Sequence, residues 1–197
     1  MFDPAFLRSL VWTDYRLAVL FMVLLPLVLL IWAFVQKNEA VQHLLTIYWK
    51  VASLLMITVY LMIGGFNIGF LAALMARVLI PIGLWFWLDL NEEIREQPDS
   101  VLKLSFNSWR WAVTIYNILG AAILLPFLPC AFSATRFAAA DCQLWLDPPL
   151  LYREYFHAGY TYGFLGFFGI VGLVIYVASL AWFVFVRLGK QGRQAMN

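Results

Sequence analysis

The chain has 197 residues, of which 64% are apolar and 12% charged, whereas a soluble domain has about half and about a quarter respectively. That excess demands a non-aqueous solvent. A net charge of +2, from 13 basic and 11 acidic residues, excludes a strongly basic nucleic-acid surface.

The expected fold is all-α: a single membrane domain over 1–197, a polytopic transmembrane bundle of about five spanning helices plus short interfacial helices. The start, Met1-Phe2-Asp3-Pro4, lacks a basic cluster, and no A-x-A-like site follows the first apolar block. A retained N-terminus is expected. Residues 6–16 alternate apolar side chains with Arg8, Asp14 and Arg16, the pattern of an interfacial lead-in helix. The first span, 17–35, carries no charge and has Pro26 inside it, which predicts a kink.

From Leu44 to Leu88 the only charges are Lys50 and Arg77. One helix of that length would measure about 65 Å, twice a bilayer. Gly64-Gly65-Phe66-Asn67-Ile68-Gly69 supplies a break, giving spans at 47–65 and 69–88. An acidic inner loop, 89–108, precedes a fourth span at 109–128, which Pro126 and Pro129 end. An outer loop, 130–161, leads to the fifth span, 162–186. Trp and Tyr gather at these boundaries, as residues that prefer headgroup depth do.

Lys and Arg counts set the orientation. With five spans, one side holds Arg8, Arg16, Arg136 and Arg153. The other holds Lys37, Lys50, Arg95, Lys103, Arg110, Arg187, Lys190 and Arg193. The richer side, with the C-terminus, is expected to be cytoplasmic, and a four-span alternative leaves that placement and the outer 130–161 loop unchanged.

Cys130 and Cys142 are the only cysteines and both fall in the outer loop. Disulfides persist in such compartments, and the alternative is two packed thiols. Arg77 stands about nine residues into the third span. A charge at that depth marks a functional-site hypothesis, here a small transporter or channel. Snorkelling, or pairing with a carboxylate or carbonyls inside a larger complex, are the bland alternatives. No Asp or Glu lies within the spanning blocks to serve as an internal partner.

Gly163, Gly166, Gly169 and Gly172 recur every third residue, and Gly159 with Gly163 forms G-x-x-x-G. Such glycines admit a close helix or a flat pigment. In the outer loop, Pro148-Pro149 predicts extended backbone, followed by a short flat helix with Leu151, Tyr155 and Phe156 toward lipid. His43 and His157 fall on opposite sides, which argues against a shared metal site. His157 is a candidate axial ligand for a porphyrin-type pigment. The run Asn91-Glu92-Glu93-Ile94-Arg95-Glu96 lacks the histidines of a di-iron site. No nucleotide loop, nucleophile set or zinc spacing is present, so no catalytic residue is expected.

Trp12-Thr13-Asp14-Tyr15-Arg16-Leu17-Ala18-Val19-Leu20-Phe21, Trp87-Leu88-Asp89-Leu90-Asn91-Glu92-Glu93, Pro148-Pro149-Leu150-Leu151-Tyr152-Arg153-Glu154-Tyr155 and Val186-Arg187-Leu188-Gly189-Lys190-Gln191-Gly192-Arg193 resemble a cyanobacterial family of integral membrane proteins of unknown function. The resemblance covers nearly the whole chain and brings no catalytic residues. It implies an oxygenic phototroph, a thylakoid location and a lumenal 130–161 loop. The role it implies is accessory subunit or assembly factor of a photosynthetic complex, among other membrane subunits and lipid, with chlorophyll or carotenoid as the cofactors such a complex would bring.

Overall fold

A computed structural model describes residues 3–195. Its described residues are helices, turns and bends. Five helices are long and apolar enough to cross a membrane: α1, Pro4–Val35; α2, Glu39–Ile63; α3, Ile68–Trp85; α5, Val101–Phe127; and α7, Tyr162–Lys190. Between α3 and α5 lies α4, Leu88–Glu96. Before α7 lies α6, Asp147–Phe156. The bundle runs up and down. One end therefore carries the start of α1, the α2–α3 turn and residues 128–161, and the opposite end carries α4 and the C-terminus.

The separate lead-in helix expected over 6–16 does not exist as such. It is the first part of α1, which continues unbroken for 32 residues, about 48 Å. Leu7 and Val11 are buried, so tertiary packing holds this stretch in the bundle despite its charges. The irregularity at Pro26 takes the form of a π segment, Val19–Leu24. There the Leu25 N–H bonds five residues back to the Leu20 carbonyl, releasing the Phe21 carbonyl. Pro26 has no N–H to return to Met22. Both freed carbonyls find side chains from other helices: Trp109 Nε1 donates to Phe21 at 2.8 Å and the Tyr48 hydroxyl to Met22 at 2.7 Å. A helix defect is thus converted into two interhelical bonds.

α2 and α5 begin earlier than their apolar cores. Asn38 caps α2 by accepting from the Val41 N–H at 3.1 Å, and Ser100 caps α5 by accepting from Lys103 N–H at 3.1 Å. These caps satisfy otherwise orphaned donors and make the polar first turns helical. Gly65, at φ 70, turns the chain between α2 and α3. The acidic inner segment, 89–108, is divided between α4 and the first turns of α5, and Leu90 and Ile94 of α4 are buried.

Residues 130–161 fold into short helical turns and α6 rather than an open loop. Pro148 and Pro149 are not extended. They occupy the first turn of α6 and are buried, at helix positions whose N–H groups have no intrahelical acceptor in any case. Leu151, Tyr155 and Phe156 are exposed.

Candidate site: a buried ion pair at the centre of the bundle

Arg77 lies near the middle of α3, about 13 Å from each end. Its Nη2 donates to Asp14 Oδ2 of α1. The two side chains are 8% and 13% exposed. Tyr116 of α5 completes the cluster: its hydroxyl contacts Asp14 Oδ1 at 2.8 Å and the Asp14 carbonyl at 2.7 Å. The Arg77 guanidinium lies 5.3 Å from the Tyr116 ring centre. Three helices therefore meet at one neutral polar centre. An unpaired arginine here would cost several kcal/mol, on the order of the penalty for a stranded buried charge.

Space for the guanidinium comes from Gly120. A Cβ there would lie 1.8 Å from Arg77 Nη1, so any larger residue would force the guanidinium to shift. Pro81, one turn beyond Arg77 in α3, has no N–H to return to the Arg77 carbonyl. Asn117, fully buried, donates to the Val113 carbonyl at 2.8 Å.

The expectation that the chain offers Arg77 no internal partner is corrected by Asp14. It was missed because the first span was bounded at its uncharged run. The signal lay in the helical character of 6–16, which continues in phase into 17–35.

A second buried arginine, Arg110, sits where α3 ends. Its guanidinium stacks 3.7 Å from the Trp85 ring centre, and Nη1 donates to Asn91 Oδ1 of α4 at 2.5 Å. Trp85 Nε1 donates to Thr114 at 3.0 Å, and Thr114 to the Arg110 carbonyl at 2.7 Å.

Cys130 and Cys142 are joined by a disulfide, enclosed with Phe70, Phe127 and Trp145. The glycine series divides. A Cβ on Gly166 would come within 2.8 Å of Gly64 Cα, one on Gly169 within 2.8 Å of Leu61 N, and one on Gly172 within 3.1 Å of Ile57 Cγ1. These three seat α7 on α2. Gly159 and Gly163 meet nothing within 4 Å, so the G-x-x-x-G pair takes no part in that contact. His157 Nε2 lies 3.3 Å from the Tyr60 hydroxyl, and its Nδ1 is enclosed. Beside it, burial and then neighbouring Tyr60 raise the Tyr152 pKa. His43 is exposed near the start of α2, at the opposite end.

An all-helical bundle with five spans of this kind belongs to the polytopic integral membrane proteins. A family model described as "Protein of unknown function (DUF3177)" matches residues 8–196, and the chain belongs to that family. No curated protein and no solved structure matches it.

Proposed function

We propose that the protein is a non-catalytic accessory subunit or assembly factor of a membrane complex, and that α7 is its docking helix. The observation that carries this reading is the lopsided burial of the spans. Only 6% of the most apolar window of α7 is buried, against 22–39% for the other four. α7 is held along its glycine line, and Phe164, Phe167, Phe168, Trp182 and Phe185 are exposed. Aromatic surface of this kind fits an interface with another subunit.

The resemblance to cyanobacterial membrane proteins supports placing that complex in the thylakoid, with chlorophyll or carotenoid and lipid among its neighbours. The Lys and Arg distribution supports a cytoplasmic C-terminus, and the disulfide suits a lumenal 130–161 segment. The transporter alternative draws less support, because the Arg77 charge is spent on Asp14.

The test is purification under native conditions with photo-crosslinkers at Phe167 and Phe185, and at Val28 of α1 as a lipid-facing comparison. Partner subunits identified by mass spectrometry should cross-link from α7 alone. A monomer that yields no α7 adduct would overturn the reading.

A further inference from the structure

We infer that Arg110 is the cationic centre of a binding site for an anionic lipid headgroup, at the bundle end that carries the C-terminus. Arg110 is 7% exposed, and no Asp or Glu among the described residues forms an ion pair with it. The other buried arginine, Arg77, has its carboxylate. On the nearest acidic helix, α4, Asp89 accepts from the N–H groups of Leu90 and Ala195, Glu92 pairs with Arg95, and neither Glu93 nor Glu96 forms an ion pair with Arg110. Stacking on Trp85 and one amide bond leave the charge without a counter-ion.

The unused part of the guanidinium is informative. Nη1 is taken by Asn91, while Nε has no partner and is enclosed. Nη2 makes no hydrogen bond either, yet it is not among the enclosed unpartnered atoms, so it is the nitrogen reachable from outside. Nε and Nη2 form the side-on edge of an arginine. The same edge is used elsewhere in this protein, by Arg8 on Asp147 and by Arg153 on the Tyr160 carbonyl. At Arg110 the enclosed Nε leaves only Nη2 to meet an oxyanion, through one charge-assisted hydrogen bond of the kind arginine makes to phosphate or carboxylate.

The surroundings select a lipid over a soluble anion. Trp111 lies next in sequence, 57% exposed, its ring 4.8 Å from Trp85. With Leu104 and Ile115 it continues an exposed apolar stripe on α5. A headgroup oxygen at Nη2 would stand beside tryptophans at the depth these residues prefer, with its acyl chains along that stripe.

The test is lipid retention by native mass spectrometry in nanodiscs of equal phosphatidylglycerol and phosphatidylcholine. The wild type should keep phosphatidylglycerol about fivefold over phosphatidylcholine, corresponding to about 1 kcal/mol for one interfacial cation. Arg110→Gln should abolish the preference, and Lys50→Gln, which removes an exposed cation, should keep it. No preference in the wild type, or an unchanged one in Arg110→Gln, overturns the inference. Thermal stabilisation by inorganic phosphate equal to that by phosphatidylglycerol would overturn the lipid assignment. Should Arg110→Gln fail to fold, Trp111→Ala is read instead. A preference it leaves intact places the lipid elsewhere and overturns the site.

Discussion

Replacing Asp14 with Asn strands Arg77. Among the described residues the carboxylate is the one charge paired with the guanidinium, and Nη1 lies against Gly120 of α5. Removing one partner of a buried pair costs about 3–5 kcal/mol. For a chain of this size each kcal/mol lowers the melting temperature by about 2–4 °C, so Asp14→Asn should melt roughly 6–20 °C below the wild type. Removing both charges with apolar residues of similar volume, as in Asp14→Leu with Arg77→Met, should recover most of that loss, because neither group is then stranded. The assay is thermal unfolding in detergent, read by tryptophan fluorescence on the wild type, both single variants and the double variant. A double variant no more stable than its singles, or an Asp14→Asn protein within 2 °C of wild type, would refute the account of the centre as a structural clasp.

Gly120→Ala should destabilise by about 1–3 kcal/mol, since its Cβ would collide with Arg77, and the same unfolding assay reads it. Gly169→Leu should detach α7 from α2 and open the chain to protease between 156 and 162, whereas Gly163→Ala, which meets nothing within 4 Å, should leave the digestion pattern unchanged. Cys130 and Cys142 should resist maleimide labelling without reductant. Replacing both with Ser should cost about 3 kcal/mol, measured by chemical unfolding. Tyr48→Phe leaves the Met22 carbonyl without its 2.7 Å donor and should cost about 1–3 kcal/mol.

Composition and the spacing of apolar runs determined the class of the protein, its five spans and their up-and-down order. Each of those follows from local chemistry, because about 20 apolar residues cannot stay in water and a Gly-rich break cannot continue a helix. The cysteine and glycine candidates were also visible as residue types at a spacing.

The partners were not visible. That Asp14 faces Arg77, 63 positions along the chain, depends on the chain folding back at two turns. A charge 10 residues into a helix looks like a lead-in until burial of Leu7 and Val11 shows it inside the bundle. The glycine run Gly159–Gly172 had one periodic signature, yet only Gly166, Gly169 and Gly172 reach α2, because the angle at which α7 meets α2 decides where the helices part. Arg110 read as one more basic residue in a count. Only tertiary structure placed it over Trp85, with no ion-pair partner among the described residues. A sequence fixes which groups are costly to bury, and packing decides which of them meet.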